Sequence, residues 1–213
     1  MRAGWALGLV GCATATTLGS PRTLAPGRVA PAVTLDLGWA ADARVAQPQL
    51  RATVGGRVGL GRRTDLGLRV GGLPAPRGSS YVHLGADAKW QLARTDRRAV
   101  ALGLGVEFDR VGIGGVLMHG FAAQVPVLMG WSTGEQAELR FTPRVVVQRA
   151  WGDGATPITK GLIGMSGGVA YPVGRSAALV PTFGILWGLT HAESDARLQP
   201  LWVPQLGLAW EGR

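Results

Sequence analysis

Along most of the chain, large apolar side chains return at every second position. In 33–39, Val33, Leu35, Leu37 and Trp39 alternate with Thr34, Asp36 and Gly38. In 50–60, Leu50, Ala52, Val54, Gly56, Val58 and Leu60 alternate with Arg51, Thr53, Gly55, Arg57 and Gly59. Segments 66–70, 82–92 and 100–108 set Leu66, Leu68, Val82, Leu84, Trp90, Leu102, Leu104 and Phe108 against Arg69, His83, Asp87, Lys89 and Glu107. The pattern continues over 117–131, 137–147, 161–173, 177–189 and 200–211, where Trp131, Tyr171, Trp187, Trp202 and Trp210 share the apolar parity. Glu138, Arg140 and Arg144 take the other parity. Successive side chains leave a pleated strand on opposite sides, so this period of two predicts ten strands, each apolar on one face.

The connections between these segments differ in length. Tight polar turns stand at Arg62-Arg63-Thr64, Thr95-Asp96-Arg97-Arg98, Thr133-Gly134-Glu135-Gln136 and Gly174-Arg175-Ser176. Between them come generally longer links at 42–49, 73–80, 109–115, 150–160 and 190–199. An even number of strands with alternating short and long connections is the layout of a membrane barrel with both termini on the short-turn side. The expected fold is therefore all-β: a closed, antiparallel, up-and-down transmembrane β-barrel of about ten strands, with eight or twelve as alternatives. Closure is required because an open sheet edge in lipid leaves backbone groups unpaired.

Parity alone does not say which face is outside, since a soluble lipocalin-like barrel has the same alternation inverted. Three features favour lipid on the apolar face. Large side chains lie on one parity, and Gly, Ala and charge lie mainly on the other. The strands are long enough to cross the hydrocarbon at a tilt. Aromatics gather at both strand ends, with Trp39, Phe108, Trp187 and Trp202 near the long links and Trp90, Trp131, Tyr171 and Trp210 near the short turns. Two such girdles suit the two interfaces of a bilayer. Pro126, Pro143, Pro181 and Pro204 fall inside the segments, where each removes a ladder donor, so bulges or displaced strand ends are expected there.

Composition sharpens this picture. The 213 residues include 34 Gly, and only 16% are charged. A lone Cys excludes a disulfide scaffold, and 46% apolar content argues against disorder. The net charge is +9, but the basic residues are gathered neither on a helix nor among stacking aromatics, which speaks against nucleic acid. Arg62, Arg63, Arg94, Arg97, Arg98 and Arg175 lie in or beside the short turns, where they can meet anionic headgroups.

At the N-terminus, Arg2 is followed by the small and apolar run Ala3 to Gly11. Leu9-Val10-Gly11-Cys12 resembles the lipobox of bacterial lipoproteins, which implies a signal peptide over 1–11 and acylation of Cys12. An A-x-A site at Ala13-Thr14-Ala15 keeps ordinary cleavage open. Residues 12–26 read as a linker and 27–213 as the barrel.

The stretch Val58-Gly59-Leu60-Gly61-Arg62-Arg63-Thr64-Asp65-Leu66-Gly67-Leu68-Arg69 resembles a hairpin of small Gram-negative outer-membrane β-barrel proteins: a strand ending in Gly, a tight polar turn ending in Asp, then D-L-G-L-R. The resemblance extends in layout over about 27–211 and implies an outer-membrane location. It implies no particular activity. Such barrels often end on an aromatic, whereas here Trp210 is followed by Glu211-Gly212-Arg213.

Candidate chemistry is confined to the polar parity. Asp36, Arg51, Arg57, Arg69, Asp87, Lys89, Glu107, Glu138, Arg140 and Arg144 form a predicted lumen charge network, because charges out of bulk water need partners. Its surplus of arginine gives any path through the lumen an anion bias. His83 near the long-link rim, with Asp36, Asp87 or Glu107 as a partner, is the candidate for a rim hydrolase; His119 has the apolar parity. Gly164-Met165-Ser166-Gly167-Gly168 matches a nucleophile elbow but sits in an alternating strand, not before a helix. No Cys/His metal cluster is present, and no cofactor is expected. The leading expectation is a non-catalytic outer-membrane barrel, structural or a narrow anion-biased path. Its expected partners are outer-membrane lipid, with lipopolysaccharide or small anions besides.

Overall fold

The structure is a computed structural model, and it describes residues 19–39, 48–75, 79–113, 116–134, 137–153, 155–188 and 202–212. Ten strands follow in chain order: β1 (Val29–Trp39), β2 (Pro48–Gly59), β3 (Thr64–Ala75), β4 (Ser79–Arg94), β5 (Arg98–Ile113), β6 (Val116–Ser132), β7 (Glu138–Gly152), β8 (Ala155–Val173), β9 (Ala177–Gly188) and β10 (Trp202–Gly212). Each pairs antiparallel with its sequence neighbours, and β1 pairs with β10 to close the barrel. The seam runs from Ala32 opposite Glu211 to Gly38 opposite Gln205. Cys12, the 1–11 segment and the links 40–47 and 189–201 lie outside the described residues.

The two parities separate as inside and outside. Leu35, Val54, Leu68, Leu84, Leu104, Val125, Val147, Met165, Phe183 and Leu208 all point outward and are exposed. Asp36, Arg51, Asp87, Lys89, Glu107, Glu138 and Arg144 point inward and are buried. The lipocalin-like inversion, with Trp and Leu lining a cavity, is therefore not the arrangement found. Trp90, Trp131, Tyr171 and Trp210 stand exposed near the short-turn end, and Trp187 is exposed near the other. Phe108 is half-buried against His119, ring centroids 5.9 Å apart. Trp39 ends β1 and Trp202 begins β10 at that same far end.

Three of the long links are much shorter than expected. β3 runs to Ala75 and β4 begins at Ser79; β5 runs to Ile113 and β6 begins at Val116; β7 runs to Gly152 and β8 begins at Ala155. The predicted links 73–80, 109–115 and 150–160 are thus mostly strand. Pairing uses backbone groups only, so a ladder can continue past the level at which its outer face needs to be apolar. The alternation fades there while the hydrogen bonds persist.

The prolines also behave differently from expectation. None lies at a register shift; the two irregularities fall between Gln91 and Ala93 and between Ala150 and Gly152. Instead the register is kept and pairing lapses locally. The β6–β7 register passes from Pro126 opposite Arg144 to Met129 opposite Phe141, with Pro143 in the gap. The β8–β9 register likewise resumes on both sides of Pro181. A missing donor removes one bond without adding a residue, so no side chain changes face.

Inside, the lumen has two unlike walls. β2 to β6 carry most of the charge. Toward β7 to β10 the inward side chains are mainly apolar, with Ala122, Val146, Leu162, Leu186 and Val203 in one cluster and Ala170, Ala178, Val180 and Ala209 in another.

Neighbouring residues in β7 test this assignment of faces. Val145 is exposed in mid-strand, whereas Arg144 is buried. Val145→Arg is expected to destabilise the barrel by about 2–4 kcal/mol when it is folded into lipid vesicles, the depth-dependent cost of a lipid-facing arginine. Urea titration followed by tryptophan fluorescence reads the difference, and an unchanged midpoint counts against the assignment.

Candidate functional site in the barrel lumen

The inward charges of β2 to β6 meet because antiparallel register sets their positions side by side. Arg57 of β2 lies across from Gly67, and Asp87 of β4 lies across from the same glycine. A Cβ at Gly67 would come 2.8 Å from an Asp87 carboxylate oxygen and 2.9 Å from Arg57 Nη1. The missing side chain is what lets Arg57 and Asp87 join across β3. Arg57 pairs with both Asp65 and Asp87. Lys89 Nζ stands 3.2 Å from the other Asp65 oxygen. Arg69 bridges Asp87 and Glu107, each at 3.5 Å, and Glu107 accepts a 3.1 Å hydrogen bond from Gln124 Nε2. The result is a continuous belt from Lys89 to Gln124.

Above it, toward the far end, a second cluster centres on Asp109. This carboxylate accepts from Tyr81 at 2.7 Å, pairs with His83 Nδ1 at 2.8 Å and lies 3.5 Å from Arg51. The Arg51 guanidinium also sits 5.4 Å from the centre of the Tyr81 ring. On the opposite wall, Arg140 bridges Glu138 at 3.0 Å and Glu211 at 2.8 Å, and Arg144 donates to Gln205 at 2.6 Å. Asp36 accepts from Thr34 at 3.3 Å and lies across from Arg51 in the register.

All ten lumen charges named from the sequence therefore point inward, in three groups. The alternation missed Asp65, Asp109 and Glu211 as members. In sequence Asp65 falls at the end of a turn and Asp109 in a link, yet each continues the inward parity of its neighbour by one more step of two. Asp109, and not Asp36, Asp87 or Glu107, is the partner of His83. That pair is sealed: His83 has no exposed surface and Asp109 is 1% exposed. His119 is outside the lumen, stacked between Phe108 and Trp151.

The residues just before β1 complete the site. They cross the short-turn mouth of the lumen. Ser20 Oγ donates to Glu138, and Arg22 pairs with Glu138 at 3.3 Å while donating to the Asp96 carbonyl at 2.8 Å. Thr23 donates through its backbone N–H and its hydroxyl to Gln91 Oε1, at 3.0 and 2.8 Å. The Leu24 N–H donates to Asp65. Lys89 Nζ donates to the carbonyls of Ser20 at 2.5 Å and Arg22 at 3.0 Å. Gly27, at φ 75°, then bends the chain into β1. Two wall glycines make room. A Cβ at Gly59 would come 2.8 Å from the Leu24 carbonyl, and one at Gly130 would come 2.6 Å from Pro21. Lack of period was the only mark this segment left in the sequence, and lack of period does not report contacts made by backbone atoms.

Among the described residues no group of three or more His, Cys, Asp or Glu is placed to hold a metal ion. Chemically the lumen is a set of mutually neutralising charges, narrowed by long side chains and crossed at one mouth by residues 20–24.

No protein-family model and no curated protein sequence matches the chain. Among solved structures it is similar to the translocator domain of the autotransporter NalP from Neisseria meningitidis, at 13% identity over 89% of each chain, with a TM-score of 0.52. It is also similar to the outer membrane protease OmpT from Escherichia coli, at 10% identity over 91% of this chain and 98% of that one, TM-score 0.47. A third is Ail, the attachment invasion locus protein of Yersinia pestis, at 8% identity over 88% and 98%, TM-score 0.46. The likeness is one of fold: a closed, ten-stranded antiparallel barrel of the kind found in bacterial outer-membrane proteins.

Two outcomes follow from this geometry. Asp65 has no exposed surface and faces two cations, so Asp65→Ala leaves Lys89 with backbone carbonyls alone and Arg57 with Asp87 alone, and is expected to cost about 3–5 kcal/mol in chemical unfolding. Gly130→Leu is expected to displace the Ser20–Arg22 segment and expose Lys89, which is 2% exposed in the native barrel. Mass spectrometry after treatment with an amine-reactive ester reads this directly; Lys89 should become labelled only in the variant.

Proposed function

We propose that this protein is a non-catalytic, structural outer-membrane barrel whose lumen is shut to free passage. The carrying observation is the opposition of the two faces. A band of Leu, Val, Phe and Met rimmed by tryptophans faces outward, while the carboxylates of the strands face inward with cationic or hydrogen-bonding partners. In water the outward band would be a large exposed apolar surface with nothing to cover it; in a bilayer it meets its natural solvent. Trp131 and Phe121, ten residues apart in β6, stand about 25 Å apart along the axis at ~3.3 Å per residue and ~40° tilt, the height of such a band.

The lumen supports closure more than conduction. Arg57, Arg69 and Arg140 each hold two carboxylates, so their charge is already neutralised, and the 20–24 segment lies across the inner mouth. A narrow anion-biased path is the second reading, resting on Arg51, Arg57, Arg69, Arg140 and Arg144 in the wall, although Asp65, Asp109 and Glu211 offset their charge; it requires that segment to move. A rim hydrolase finds less support, because the His83–Asp109 pair is sealed inside the wall and Asp109 is also engaged by Tyr81 and Arg51.

Fractionation of cells expressing the full chain tests the reading. Outer-membrane recovery, with migration on gels that changes on boiling, is the expected result, together with no unitary conductance steps in planar bilayers. Anion-selective steps from the native barrel would favour the second reading. A product that stays soluble without detergent would overturn both.

A further inference from the structure

The outer surface carries an asymmetry of charge that the lumen does not explain. Among the described strand residues, every carboxylate has inward parity. The outward charged residues are Arg98, near the short turns, and Arg110 and Arg149, both exposed, near the other end. Neither Arg110 nor Arg149 has a carboxylate partner among the described residues. Asp153, in the turn after β7, is occupied by the Leu117 N–H at 3.3 Å.

Register puts these two arginines in adjacent outward rows. Arg110 lies across from His119, which lies across from Trp151. One outward step lower, Phe108 lies across from Phe121, which lies across from Arg149. The arginines are thus two strands and one outward step apart, about 12 Å between backbones, within reach of a single headgroup. Between them stand the stacked rings of Phe108, His119 and Trp151, with centroids 5.6 to 6.4 Å apart. Here the outward positions of β5 to β7 change from the aliphatic residues below to Arg110, His119, Trp151 and Arg149.

Directly below, the wall is hollowed. One outward row reads Gly56, Leu68, Ala86, Val106 and Ala123 across β2 to β6. The small members of the row leave a groove of about 590 Å³, lined chiefly by Leu68, Val70, Leu84, Val106, Phe108 and Phe121. A cationic pair above an apolar groove complements an anionic head above an acyl chain. Guanidinium groups prefer phosphate because their paired N–H groups match two of its oxygens.

We propose that this face of β3 to β7 is a binding site for a phosphorylated glycolipid of the outer leaflet. Arg110 and Arg149 hold its phosphate groups, the Phe108–His119–Trp151 rings pack beside the sugar, and the Leu68–Phe121 groove seats an acyl chain. The proposal rests on the membrane-spanning reading of the barrel.

The test uses the full-length barrel in dodecyl maltoside, titrated with bisphosphorylated lipid A, dephosphorylated lipid A and phosphatidylglycerol. Bound lipid is read by native mass spectrometry, and folding by heat-modifiable migration. Bisphosphorylated lipid A is expected to bind best. Its affinity should fall about tenfold for each of R110Q and R149Q, one charge-assisted contact each. R98Q, at the other end, should bind as the native protein does, and Ala86→Phe should weaken binding with both arginines intact. Equal binding of dephosphorylated lipid A, or native affinity in the R110Q/R149Q barrel, overturns the proposal. Equal binding of phosphatidylglycerol overturns the glycolipid assignment in favour of any phosphate-bearing lipid. Failure of the membrane reading shows separately, as a native protein that needs no detergent and does not shift on boiling.

Discussion

The barrel depends on charge that must be neutralised where water is scarce. Asp65 shows the constraint most sharply. It has no exposed surface, and its two oxygens are divided between Arg57 on one side and Lys89 with the Leu24 N–H on the other. A buried carboxylate is tolerated only when paired and hydrogen-bonded. Here the partners come from β2, β4 and the segment before β1, so one residue ties three parts of the wall and its closure together. Arg57 then passes the requirement to Asp87, and Arg69 passes it on to Glu107. The network is as long as it is because each ion needs a partner and each partner is itself an ion.

The glycines are the steric counterpart of that network. Arg57 and Asp87 cannot join across β3 unless the residue between them has no side chain, and Gly67 is that residue. Gly59 and Gly130 do the same for the segment across the mouth. A ten-stranded barrel is somewhat wider than one its own side chains fill easily. This one is filled on the β2–β6 side by long charged side chains, on the other by Leu, Val and Ala, and at the inner mouth by its own preceding chain.

The outward face has its own division of labour. Its apolar band satisfies lipid without specificity, whereas the Arg110–Arg149 patch, with its rings and groove, has shape and sign. On the proposed membrane-spanning reading, charge on that face is tolerated only where hydrocarbon gives way to headgroups, and the two arginines stand toward one end of the strands.

Alternation along the chain marks about ten strands, their antiparallel layout, which residues share a face and most of the charges that gather on one side. All of these follow from a period of two, a local property of the backbone that each strand expresses without reference to any other. The hairpin ends were not legible, because outside the apolar band a strand no longer needs an alternating face and Asp109 looked like loop. That Asp109 and not Glu107 holds His83, that Arg57 reaches across Gly67, and that residues 20–24 cross the mouth emerges in the folded barrel alone. Those contacts depend on register around a closed ring and, for residues 20–24, on carbonyls and amides that every residue carries alike, so parity along a single strand places a charge inside without naming its partner.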